Sequence, residues 1–458
     1  MKKRKKVKWN MKTNRRQINL LEGNIIKKLL LLSAPLMATS FVNMAYNMTD
    51  MAWLGRLGSE AVAAIGTAHF FIWIASSLGF IGRIGTSVYS AQEYGRKDFK
   101  RLNNTIKNGL ILVMLTAIIY TIIINLFAHN LIGFYGLKEA VHKNAITYLR
   151  IMSIGFIFTL LNLLLSSIYN SLGNSFLPFI ANVIGLVLNI VLDPILIFGF
   201  LGFLRLEVAG AALASIFSQF IVLSIILIDI FKSKNEIYIG FISGKFELKN
   251  MMTKFYKGFP AGAMSIFHAL VSMVLARFIS NYGTIPMAAF SVGSQIESIT
   301  WMTTEGFSGG IIAFVGQNYG AEKFERLKEV IRKSILTVFI IGIAGTFILI
   351  IFRYPLFELF VPNDLEATKA GAAYLLILGA SQLFMALEIG ISAVFNGIGR
   401  TKIPASINTF FNILRIPMSI LLMPYFKFYG VWLAMTISSI FKGLSMTYLL
   451  TKEYKNIY

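Results

Sequence analysis

Apolar residues gather in stretches of about 20 or more, long enough to cross a bilayer core as a helix. They lie at roughly 29–54, 61–90, 107–128, 144–169, 176–199, 208–231, 258–281, 286–315, 334–352, 371–396, 403–424 and 431–450. The pattern predicts an all-α polytopic membrane protein with twelve transmembrane helices. Composition agrees: hydrophobic residues are 56% of the 458 positions and charged residues 14%, too little polar surface to cover a soluble globule of this size.

The twelve stretches are six written twice. Ser-Ala-Gln-Glu-Tyr-Gly at Ser90 to Gly95 recurs as Val-Gly-Gln-Asn-Tyr-Gly at Val315 to Gly320, an offset of 225 that also carries Pro35 onto Pro260 and Gly58 onto Gly283. An offset of 226 carries Tyr148 onto Tyr374, Asn170 onto Asn396, Gly173 onto Gly399 and Pro178 onto Pro404. A register held this long marks a duplicated domain. The expected organisation is a basic tail (1–28), a six-helix bundle (29–231), a linker (232–257), a second six-helix bundle (258–450) and a short tail (451–458). An even number of spans per repeat gives two pseudo-symmetric bundles related by an axis along the membrane normal, a parallel repeat able to rock about a central cleft.

Charge sets the orientation. Of the 43 Lys and Arg, about 31 fall in the tails and the loops on one side, against about 7 on the other. The positive-inside rule therefore predicts a plasma-membrane protein with both termini cytoplasmic. The formal charge of +22 is placed for contact with anionic lipid rather than nucleic acid. The first apolar run is too long for a signal peptide and reads as a retained helix. With no cysteine, thiol chemistry is excluded.

No motor and no enzyme are encoded in recognisable form. Gly240 to Phe246 has the wrong spacing for a nucleotide-binding loop, Gly79, Gly82 and Gly85 lie inside a predicted span, and His69, His129, His142 and His268 are scattered. No cofactor is expected beyond a coupling ion.

Acids inside spans are costly and ask for a reason. Asp50 and Asp193 fall at one depth, toward the non-basic ends of the first and fifth spans. Helical spacing puts Asn43 and Tyr46 on the Asp50 face, and Asn182 and Asn189 on the Asp193 face. Tyr148 and Ser215 enter at the same level from the fourth and sixth spans. Pro35 and Pro194 each free a carbonyl one turn back, and Pro35 marks the first helix as bendable. In the second repeat Asp50 becomes Leu275, Asn189 becomes Arg415 and Asp193 becomes Ser419, so the scaffold repeats and the acids do not. Glu297, Glu305 and Glu388 are expected to pair with Arg415 or Lys442, or else to form a second coupling or substrate site. Arg83, Arg150 and Arg277 are expected near span ends, snorkelling to the interface.

These residues resemble the multidrug and toxic compound extrusion (MATE) transporters, most closely their DinF-like, archaeal-type branch, over residues 25 to 450. The resemblance rests on Pro35 before Asp50-Met-Ala-Trp-Leu-Gly-Arg-Leu-Gly, Tyr148-Leu149-Arg150, Asn189 to Asp193, Gly210 to Ser215, and Gly-Gln-Asn-Tyr-Gly-Ala at Gly316 to Ala321. It implies a secondary antiporter, working as a monomer, that exports lipophilic or cationic small molecules in exchange for H⁺ or Na⁺. Matching positions imply Asp50 as the main coupling carboxylate, with Asn189, Asp193, Tyr148 and Ser215 around it. Asp50, Asn189 and Asp193 are then the ligands of any sodium ion, Asn43, Tyr46 and Asn182 face substrate, and Pro35 is the hinge. Two departures stand out: Ser215 replaces the branch's usual Thr, and Asn170 stands where the family usually carries Arg. The alternatives are a lipid-linked saccharide flippase of the same superfamily and a non-transporting membrane scaffold or receptor.

Overall fold

The computed structural model describes residues 17–361 and 364–454. Most of the basic tail, residues 1–16, and the last four residues lie outside this range. The first repeat folds as α1 (Ile25–Gly55), α2 (Ser59–Gly95), α3 (Phe99–Gly133), α4 (Glu139–Ser171), α5 (Phe176–Phe198) and α6 (Glu207–Ser233). A short α7 (Glu236–Ser243) follows in the linker. The second repeat holds α8 (Leu248–Ser280), α9 (Thr284–Gly320), α10 (Phe324–Ile351), α11 (Arg353–Glu358), α12 (Leu365–Gly379), α13 (Gln382–Gly397), α14 (Lys402–Phe426) and α15 (Tyr429–Tyr454).

Ten of these helices are long and apolar enough to cross a membrane. The expected span at 371–396 is instead a broken one: α12 and α13 meet at a 47° bend, where the chain turns at Ala380 and Ser381. The twelfth span is α9, made more polar by Glu297 and Glu305 and by its place in the seam. Within the expected linker, residues from Leu248 onward already belong to α8. Side chains such as Leu126, Phe127, Phe347 and Leu421 stand exposed on helix flanks, as a hydrocarbon solvent requires.

The repeated motif explains itself at the seam between the bundles. α2 and α9 cross at their C-terminal ends, where a β-carbon on Gly95 would lie 2.1 Å from the Gln317 carbonyl oxygen and one on Gly320 would lie 2.0 Å from that of Gln92. Only glycine permits that approach. The motif glutamines then reach across: Gln92 Nε2 donates to the Gly397 carbonyl at 2.8 Å, and Gln317 Nε2 to that of Ser171 at 2.7 Å. Each caps the last turn of a helix in the opposite repeat.

Further from that end, α8 lies on α2 and α1 lies on α9, with Gly85 against Lys254 and its repeat partner Gly310 against Ser33. Residues 17–22 add a strap across the seam. Ile18 N donates to the Gly173 carbonyl at 2.9 Å, while Asn318 and Arg326 of the second repeat donate to the Leu20 carbonyl. Leu20 is fully buried in the core shared with Phe314 and Leu327. Above the Ser77–Ser265 hydroxyl pair (2.8 Å), no hydrogen bond joins the bundles among the described residues. The hydrogen bonds between the bundles are thus gathered toward the basic end.

Candidate functional site

Four helices of the first bundle build the site. α1 supplies Tyr46 and Asp50, α4 Tyr148, α5 Asn189 and Asp193, and α6 Ser215 together with Ser218. α5 packs along both α1 and α6, and its Asn189 and Asp193, one turn apart, are fully buried. Asn189 Nδ2 donates to Asp193 Oδ1 at 3.2 Å, and Ser215 Oγ donates to Asp50 Oδ2 at 3.3 Å. The Asp50 carboxyl lies beside Asp193 and Asn189 where α1 packs on α5. Tyr148, 4% exposed, stands within the field of both acids.

The cluster is left incomplete. Tyr46 Oη, Asp50 Oδ1, Asn189 Oδ1, Asp193 Oδ2 and Ser218 Oγ are all buried with no hydrogen-bond partner. Buried polar atoms in proteins are normally satisfied. Five orphaned oxygens around two carboxylates form a donor set suited to a proton or a hard monovalent cation. Among the described residues no group of three or more His, Cys, Asp or Glu could hold a metal ion.

Asn43 and Asn182, expected to face substrate, take no part in the cluster's hydrogen bonds: Asn43 is exposed, and Asn182 Nδ2 donates to the Pro178 carbonyl of its own helix at 2.8 Å. Ser218 was not foreseen, although it lies three residues beyond Ser215 and so shares its helical face. Pro35 remains inside an unbroken α1. Thr39 Oγ1 bonds back to the Pro35 carbonyl at 2.9 Å, a contact that favours bending.

The second bundle differs from expectation. Its acids do not form direct ion pairs with Arg415 or Lys442. Glu297 accepts from Tyr374 Oη at 2.8 Å and Gln382 Nε2 at 3.0 Å, and Glu388 accepts from Asn408 at 2.6 Å. Arg415 donates to Ser438 and Ser439, and Lys442 to Asn412. Neutral donors thus satisfy Glu297 and Glu388, and neutral acceptors satisfy Arg415 and Lys442, which leaves the bases as distant balancing charges. Tyr374 is the repeat partner of Tyr148, so each bundle sets one tyrosine against an acid, but on different helices. Arg150 and Arg277 are exposed as expected; Arg83 is not at a span end but deep in α2, half-buried.

The family model described as MatE matches this chain twice, over residues 35–195 and 260–421, once per repeat. The chain belongs to the MATE family. Among its relatives in that family, "Probable multidrug resistance protein NorM" of Thermotoga maritima is 26% identical over 439 residues, covering 94% of this chain and 93% of its own length. "Multidrug export protein MepA" of Staphylococcus saprophyticus is 27% identical over 383 residues, 82% of each chain. The solved structure of a multidrug resistance MATE family transporter in an outward-facing conformation superposes with a TM-score of 0.89 at 22% identity, covering 96% of this chain and 98% of that one. That match confirms the fold of twelve spans in two repeats.

Proposed function

We propose that this MATE protein is a secondary active exporter of lipophilic, often cationic small molecules, driven by H⁺ or Na⁺ entering at the Asp50–Asp193 cluster. The observation that carries the reading is the set of five orphaned oxygens that includes both carboxylates in the first bundle, the acids having no counterpart at Leu275 and Ser419. Two acids in a dry site repel one another, and a bound cation relieves both the repulsion and the cost of burying charge. Orientation follows the basic loops: the basic end is cytoplasmic, both termini are inside, the membrane is the cell membrane, and the cleft opens outward.

In this state the cluster lies in the half of the molecule away from the basic end and can load its ion from outside. Loading neutralises the α1–α5 contact. The α1 segment beyond Pro35 is then free to move against the segment that Gly306 and Gly310 hold to α9. One elementary charge entering across about 100 mV supplies roughly 2.3 kcal/mol, and each pH unit about 1.4 kcal/mol. Exchange of one monocation for one H⁺ moves no net charge and draws on the pH gradient alone. The protein acts as a monomer, because each half of the cleft comes from one repeat. Against a flippase for lipid-linked pyrophosphates, Arg415 and Lys442 are engaged by Ser438, Ser439 and Asn412 rather than free in a groove.

The test uses proteoliposomes loaded with ethidium, under a pH gradient alone and then a sodium gradient alone. One gradient should drive exchange. Asp50→Asn at matched protein level should reduce it to background; an undiminished rate would remove Asp50 as the coupling group.

A further inference from the structure

α2 and α9 are the arms of a V whose apex is the Gly95–Gln317 and Gly320–Gln92 crossing. Arg83 lies twelve residues before Gly95 on one arm, and Glu305 twelve before Gln317 on the other. At about 1.5 Å per residue, each stands roughly 18 Å from the apex, between it and the level of the Ser77–Ser265 pair.

Each lies in a sector of its helix that the packed neighbours leave free. On α2, Gly79 packs on Leu160 of α4, Gly82 on Val113 of α3 and Gly85 on Lys254 of α8. The sector holding Arg83 is the one these three helices leave uncovered. On α9, Gly306 and Gly310 meet α1, and Thr300 meets Gly345 of α10. Glu305 occupies the remaining face and is exposed. Arg83 lies over its own helix's Phe80 ring, 5.0 Å from the centroid. The two charges act on each other between the arms of the V, with Glu388 of α13 the other charge felt by Glu305. No ion pair or side-chain hydrogen bond joins Arg83 to Glu305 or satisfies either of them among the described residues. The duplication did not supply them, since Arg83 maps onto Ser308 and Glu305 onto Phe80.

An unpartnered carboxylate at membrane depth, facing a cleft, asks for a ligand. We propose that Glu305 is the counter-charge for the cationic group of the substrate, and that Arg83 is a tethered competitor. Arg83 closes on Glu305 when the cleft is empty and is displaced when a lipophilic cation is bound. The pair would thereby select monocations over neutral compounds of the same shape. This rests on the exporter reading above and adds the substrate's charge and the residue that meets it.

The experiment measures Kd on purified protein without any gradient, using methyltriphenylphosphonium and the uncharged triphenylphosphine oxide. Glu305→Gln should weaken the phosphonium about tenfold or more and change the oxide by less than about twofold. Arg83→Gln should tighten the phosphonium several-fold. Glu305→Asp should restore most of the affinity, which separates charge from folding. Equal loss of both ligands, no loss of either, weaker phosphonium binding in Arg83→Gln, or no measurable affinity of the native protein for the phosphonium would each overturn the proposal. Because no gradient is present, these outcomes are independent of whether Asp50→Asn abolishes exchange, which tests the exporter reading separately.

Discussion

At the scale of single residues, Asp50 and Asp193 form the centre of a cluster drawn from four helices. Asp50, Asp193, Asn189, Tyr148 and Ser215 come together because helical spacing places each on a definite face and span counting places each at one depth. That convergence was legible in the sequence, whereas the partners within the second bundle were not: Glu297 and Glu388 found Tyr374, Gln382 and Asn408 instead of Arg415 or Lys442. Sequence spacing gives the face of a helix but not which neighbour that face meets. The asymmetry between repeats yields a test: Asp193→Asn removes one of two mutually repelling carboxylates and should slow ethidium exchange about tenfold, whereas Ser419→Ala, at the equivalent position of the second bundle, should stay within about twofold. Equal effects at the two positions would mean that the bundles share the work.

At the scale of helices, the repeated Gln-x-Tyr-Gly motif turns out to be the seam itself. A duplicated signature is visible in the sequence, but its role depends on a crossing between helices some 225 residues apart, which no local pattern encodes. Gly95→Ala or Gly320→Ala places a methyl group against a backbone carbonyl that cannot rotate away. Either should cost about 1 to 3 kcal/mol and lower the thermal unfolding midpoint. It should also open the basic end, read as maleimide labelling of a single cysteine placed at the buried Ser171. Pro35→Ala acts on the other element. It restores a donor for the Leu31 carbonyl and stiffens α1, so exchange should slow several-fold while phosphonium Kd is held. A Kd that shifts in step with the rate would place Pro35 in the binding surface rather than at a hinge.

At the scale of the whole molecule, transport by this architecture requires that the seam open at the basic end, where it is now hydrogen-bonded, and close at the other. Ser77 and Ser265 sit at the boundary between those regions, one on each bundle, with their hydroxyls 2.8 Å apart. The chain contains no cysteine, so Ser77→Cys with Ser265→Cys adds the molecule's only thiols, and their spacing suits a disulfide, whose β-carbons lie about 3.5 to 4.5 Å apart. If the bundles rock as bodies about the cleft, the oxidised double variant is held with its basic end shut. Ethidium exchange should then fall about tenfold or more, recover on reduction, and stay normal in either single variant. Phosphonium binding should persist in the oxidised protein, since the crosslink alters neither Arg83 nor Glu305. Full exchange through a complete crosslink would show instead that the bundles do not part at this level and that movement is confined to α1.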